Sequence, residues 1–180
     1  VRFATANAGI KSGDSEDATL ILLEPETVIA GLFTSSMTRS APVIDCQNKI
    51  GINVANTGAA IIINSGNANA FTGRHGELAV REIIAELSTR VQIPVERIFS
   101  SSTGVIGELL EYQKIINVFD HLVDSLHGSK IENAARAIMT TDTFPKGSSV
   151  KVSSSGGKIT ISGIAKGSGM IAPNMGTMLV

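Results

Sequence analysis

Tryptophan is absent, aromatic residues make up only 4% of the chain, and there is one cysteine, Cys46. A lone cysteine excludes an internal disulfide and points to a reducing compartment, the cytoplasm. So few aromatics remove the stacking platforms on which single-stranded nucleic acid is bound. An excess of one charge sign is also missing: 15 Lys and Arg stand against 16 Asp and Glu. With neither a basic stripe nor an acidic tail, nucleic acid is not an expected partner. No uncharged apolar run approaches the ~20 residues of a membrane-spanning helix, so no membrane is expected either. The opening VRFATANAGIKSGDSED has no initiator Met and no signal-peptide pattern, as in a trimmed chain.

What is present is 180 residues, 43% of them hydrophobic, enough for one sizeable core. The first third reads as strands, in ATLILLE, TVIAGLFT and GAAIIINSG. Their hydrophobicity is continuous rather than alternating, as in strands covered by neighbours. The period then changes. In GELAVREIIAELSTRV, Val80, Ile83, Ile84 and Leu87 recur at helical spacing, with Thr72 as an upstream cap. A short strand precedes Ser100. A second apolar stripe runs from Leu109 through Tyr112, Ile115, Ile116, Phe119, Leu122 and Val123 to Leu126. It predicts one helix of five turns stopped by Gly128. IENAARAIM predicts a shorter helix. SVKVS and KITISGIA around a Ser/Gly turn predict a hairpin. Strands, helix, strand, helices and strands in that order predict an α/β layered domain.

Several chemistries are excluded by pattern. His75, His121 and His127 lack metal-ligand spacing, and there is no HExxH or Cys/His cluster, so no metal is expected. GSGMIA at Gly167 imitates a dinucleotide loop, but Pro173 interrupts the helix that loop requires. SSGGKI at Ser154 lacks the first Gly and the last hydroxyl of a phosphate loop, and no GxSxG is present.

Four polar stretches remain. INSGNANAFTG, from Ile63 to Gly73, sets Asn64, Asn67 and Asn69 behind an apolar strand. It reads either as a turn with a helix cap or as a set of donors aimed at a ligand. SSSTGVIG places Thr103 and Gly104 between a strand and the predicted long helix, where a hydroxyl and an N–H at a helix N-terminus would form an oxyanion hole. MTTDTFPK groups Thr140, Thr141 and Thr143 around Asp142. Finally, Gly176-Thr177 is a small residue before a hydroxyl residue in an apolar run. Thr becomes a nucleophile when its own α-amine serves as its base. A free α-amine has a pKa of about 7.7–8.0, so a useful fraction is neutral at physiological pH. Exposing that amine inside a chain requires cutting the bond before Thr177. Gly176, without a side chain, leaves its carbonyl open to the Thr177 hydroxyl.

INSGNANAFTG, SSTGVIG, AIMTTDTFPK and GIAKGSGMIAPNMGTML, with AGIKSG and GLFTSSMTRSAPV, resemble in order and spacing the glutamate N-acetyltransferase (ornithine acetyltransferase) family of arginine biosynthesis. The resemblance covers nearly the whole chain. It implies an α/β layered sandwich of the self-cleaving aminopeptidase-like kind. It implies self-cleavage between Gly176 and Thr177, dividing an α region (1–176) from the start of a β chain (177–180). Thr177 would then be the nucleophile of a ping-pong reaction carrying acetyl from N-acetylornithine to glutamate, in an α2β2 assembly with the β chain. No cofactor is implied, although acetyl-CoA is a second acetyl donor in bifunctional members. Thr103 and Gly104 match the family's oxyanion hole, Lys166 a substrate-binding Lys, and one of Thr140 and Thr141 a substrate-binding Thr. Two positions depart from the family: Phe71 stands where Cys is usual, and Gly176 where Ala is usual. The competing readings are a related self-cleaving amidohydrolase or aminopeptidase, and a non-catalytic assembly domain.

Overall fold

The computed structural model describes residues 1–52, 54–169 and 178–180. Gly176 and Thr177 lie outside the described residues, so the cleavage reading falls outside them too.

A four-stranded sheet, ordered β1-β2-β3-β4, forms the centre. β1 (Arg2–Ala6), β2 (Ala18–Leu23) and β3 (Ala59–Asn67) pair antiparallel in sequence, and β4 (Ile98–Val105) joins β3 in parallel. The parallel pair needs a crossover, supplied by α2 (Gly73–Val91). Side chains alternate across the sheet. On one face Ala4, Leu20, Ile62 and Ile98 meet Val80, Ile83, Ile84 and Leu87 of α2 in one core. Removing that apolar area from water is the main favourable contribution to folding. The opposite face carries Thr5, Thr19, Ser65 and Thr103, all buried. α1 (Ala41–Lys49) packs on β4 and α2, and α5 (Ile131–Ala137) on β1 and β2. Arg97, buried, ties the irregular stretches together, donating to the carbonyls of Gly58, Ile52 and Thr27. β5 (Lys146–Ser154) and β6 (Gly157–Ala165) form a separate antiparallel hairpin. Val150, Val152, Ile159 and Ile161 are exposed along one of its faces. No helix among the described residues is long and apolar enough to cross a membrane.

Three expectations from sequence differ from this architecture. TVIAGLFT is irregular rather than a strand: β2 and β3 already have partners on both edges, and Val28 and Leu32 lie exposed. The five-turn helix is two shorter ones, α3 (Tyr112–Ile116) and α4 (Phe119–Asp124). The break at Asn117 and Val118, two weak helix formers, turns Ile115, Ile116, Phe119 and Leu122 together into the core. Thr103 and Gly104 lie inside β4 and not at a helix start, since α3 begins at Tyr112. They are therefore not at the N-terminus of α3.

Candidate functional site

The parallel strands β3 and β4 end side by side, and there the backbones come unusually close. A bulge at Gly66 and Asn67 interrupts the register opposite Thr103 to Val105. Gly104 has φ +137°, and a Cβ on it would lie 2.3 Å from the Gly66 carbonyl carbon. Only glycine fits such an approach. Alternation along β4 from Ile98 puts Thr103 on the face opposite the main core, fully buried, with its hydroxyl directed at an incoming lysine.

That lysine is Lys166, the residue after β6, itself 3% exposed. Its Nζ donates to Thr103 Oγ1 at 2.9 Å and to Thr140 Oγ1 at 2.6 Å. Of the two threonines left open by the sequence, Thr140 reaches the lysine, whereas Thr141 is exposed. Burial lowers the Lys166 pKa from its ordinary 10.5; Asp142 opposes that shift and Lys146 adds to it.

Asp142 organises the ground around this contact. Its carboxylate accepts from the Gly167 N–H at 2.9 Å, the Thr140 N–H at 3.3 Å and Lys146 Nζ at 2.5 Å. Burial pushes the Asp142 carboxyl upward. The Lys146 hydrogen bond and the two backbone N–H groups more than reverse this and hold it at about 2. One carboxylate thus fixes both segments that the ammonium bridges. The Lys166 backbone is fixed as well: its N–H donates to Leu179 O at 2.8 Å, and the Leu179 N–H returns to Lys166 O at 3.3 Å. Leu179 stands two residues after Thr177.

The Asn-rich stretch is built inward. Asn64 holds Asn67 O and accepts from Ser102, and Asn67 donates to Glu108 O and accepts from the Asn69 N–H. Asn69 donates to Gly76 O and accepts from the Thr72 hydroxyl. These amides shape the turn between β3 and α2, which is the structural alternative of the two read from sequence. Thr72 precedes α2 but makes no side-chain cap. Phe71 is exposed at φ +58° on that turn. His75 contacts Leu110 O and the Tyr112 ring, and His127 contacts Ser129.

Sequence reasoning passed over Asp17 and Lys11. Asp17, 1% exposed, accepts from the N–H groups of Ala8, Ile10 and Lys11. Lys11 reaches the carbonyls of Ala137 and Met139, just before Thr140. Within GDSED, the residue type does not separate Asp17 from Asp14 and Glu16. An acid immediately before an apolar strand was its only cue.

A buried ammonium between two hydroxyls, at the ends of parallel strands, is suited to stabilising a developing negative oxygen. Comparisons with known proteins place the whole chain in one family. The ArgJ family model matches residues 2–180. The arginine biosynthesis bifunctional protein ArgJ of Ruegeria pomeroyi is 51% identical over 180 residues, covering all of this chain and 44% of that protein. Its counterpart from Bartonella henselae is 45% identical over 179 residues, 99% of this chain and 43% of that one. The chain therefore spans less than half the length of these relatives. Among solved structures, an arginine biosynthesis bifunctional protein from Bacillus halodurans superposes with TM-score 0.87 at 30% identity, over 99% of this chain and 90% of that chain. Ornithine acetyltransferase of Mycobacterium tuberculosis, complexed with ornithine, superposes with TM-score 0.82 at 30% identity, over 99% and 92%.

Proposed function

The chain belongs to the ArgJ family, and from that premise we propose that it is the α region of an acetyltransferase of arginine biosynthesis. It acts in the cytoplasm, with a β chain cut from the same precursor, in an α2β2 assembly. The observation that carries the reading is the meeting of Lys166 with Thr103 and Thr140 beside the Lys166–Leu179 pair. Relative lengths support division of a precursor: the curated relatives are more than twice as long as this chain, yet the matched solved chains are barely longer than it.

The proposed chemistry begins with self-cleavage. Thr177 Oγ attacks the Gly176 carbonyl carbon, the peptide C–N bond breaks, and an ester with a free Thr177 amine results. Water hydrolyses the ester, leaving the Gly176 carboxylate and the chain boundary at 176/177. The Thr177 amine then takes the hydroxyl proton as Oγ attacks the acetyl carbon of N-acetylornithine. Collapse of the tetrahedral intermediate expels ornithine, which carries off the proton, and leaves acetyl-Thr177. The glutamate amine attacks that ester, takes the acetyl group and restores the hydroxyl. Acetyl-CoA is a second donor in the bifunctional form of the same scheme. Thr103 and Gly104 serve the negative oxygen of each intermediate, and Thr140 and Lys166 line the substrate side. A single such donor contributes roughly 3–4 kcal/mol to the transition state.

The test is the full-length protein assayed with N-acetylornithine and glutamate, with mass spectrometry across the Gly176–Thr177 bond. Acetylglutamate formed by a cleaved protein is expected. Free acetate without acetylglutamate would move the reading to an amidohydrolase, and full activity of Thr177→Ala would remove the nucleophile.

A further inference from the structure

An ammonium has three hydrogens and no lone pair, so a hydroxyl that contacts one must accept. At 2.9 Å and 2.6 Å from Lys166 Nζ, the oxygens of Thr103 and Thr140 are therefore acceptors. Their own hydrogens are turned away from the lysine, toward other acceptors. Among the described residues neither hydroxyl has one: each makes a single side-chain hydrogen bond, the one from Lys166. Thr103 is fully buried, so bulk water does not supply the missing acceptor. A buried donor left this way is costly unless something in the site accepts from it.

We propose that Lys166 acts on the reaction through Thr103 and Thr140, as a positioning residue whose ammonium turns both hydroxyls into outward-facing donors for the acyl oxygen. This rests on the acyl-transfer reading above, and departs from a lysine whose task is to pair with a substrate carboxylate. Two of its three hydrogens are already committed to the hydroxyls, and the residue is buried. Accepting from a cation also polarises each hydroxyl, which strengthens the bond it donates in turn. The gain is largest when the acceptor carries full negative charge, that is, in the transition state. Lys166 should therefore govern kcat more than KM. Asp142, holding Gly167 and Thr140 by their N–H groups, keeps the lysine and one of its threonines at the same spacing.

The experiment is a double-mutant cycle in the full-length protein with Lys166→Met and Thr103→Val, reading kcat and KM per cleaved chain. Thr103→Val is expected to lower kcat by about 100-fold. Lys166→Met alone is expected to lower kcat by at least tenfold with KM changed less than threefold. In the Thr103→Val background the same change should lower kcat by clearly less than it does alone, because one of the two hydroxyls it acts on is gone. Lys166→Arg, which keeps a cationic donor, should recover part of kcat. A raised KM with kcat unchanged in Lys166→Met, or effects that multiply independently, overturns the proposal in favour of a carboxylate contact. Wild-type kcat in Thr103→Val removes the oxyanion reading itself, a separate outcome. Where Lys166→Met cleaves too slowly to give enough cleaved chain for kcat, the cycle is read on the slow cleavage rate itself with the same criterion of coupling against independence.

Discussion

Gly104 and Gly66 touch backbone to backbone at the end of the parallel strand pair, so that any Cβ on Gly104 would overlap the Gly66 carbonyl. This contact holds β3 and β4 together directly beside Thr103, on the sheet face where Lys166 arrives. The glycine is thus a condition for the site, whatever its own N–H does.

Gly104→Ala should be strongly destabilising. The positive φ alone is worth about 1–3 kcal/mol, and the overlap is with backbone, which cannot swing aside. Gly107→Ala is the control: it also has a positive φ, +88°, but open space around the Cβ position. Urea denaturation of both variants should give a larger loss for Gly104→Ala. Equal losses would mean that strain, not overlap, sets the requirement.

Asp142→Asn should loosen the segments on either side of Lys166. Removing the charge weakens three bonds at a buried carboxylate, a loss of about 1–3 kcal/mol at neutral pH. The pH dependence has a definite sign. The folded carboxyl is held at about 2, below its ordinary 3.8. Its contribution is therefore full above pH ~4 and disappears as pH falls through about 2. Wild type should lose stability across that window faster than Asp142→Asn. Parallel acid limbs in the two proteins would show that the Asp142 contacts contribute little.

Cys46 should be inert in the folded protein. It is buried, it donates to Ser100 O at 3.2 Å, and burial pushes its thiol up to about 11. The thiolate is the reactive form. Disulfide-exchange reagents at pH 8 should label it at least 100-fold more slowly in native protein than in urea. Equal rates would mean that α1 opens readily from β4.

The elements that announced themselves in the sequence were those whose burial follows from their own pattern. The stripe Val80, Ile83, Ile84, Leu87 made α2 legible, and the run before Asn64 made β3 legible. β1 is short, and three of its five residues are alanine or threonine, with little hydrophobic signal. α1 hides in SAPVIDCQNK, where Pro42 in the first turn was the only helix marker. The site divides the same way. Thr103, Gly104, Thr140, Thr141 and Lys166 were singled out by motif, but spacing could not say which meet. The choice of Thr140 over Thr141, and the buried position of Lys166 Nζ, depend on a hairpin returning across the end of β4. Asp142 was visible only as one polar residue among threonines, because its role lies in backbone N–H groups 2 and 25 residues away.

The alkaline limb of activity should belong to Lys166. Its pKa is lowered from 10.5, first by burial and further by Lys146, with Asp142 opposing. For a base so shifted, the cost of keeping it charged in the fold is present in full below the folded pKa. It is relieved as pH rises from there to 10.5, so the fold itself gains slightly from deprotonation. The reaction has the opposite requirement. A neutral amine has a lone pair and can accept from Thr103, which would turn that hydroxyl proton inward. Acetyl transfer should therefore fall at a pH below 10.5 while the protein stays folded by circular dichroism. In Lys166→Arg, which stays charged throughout this range, the limb should move upward. A limb unchanged by Lys166→Arg would assign it to another group.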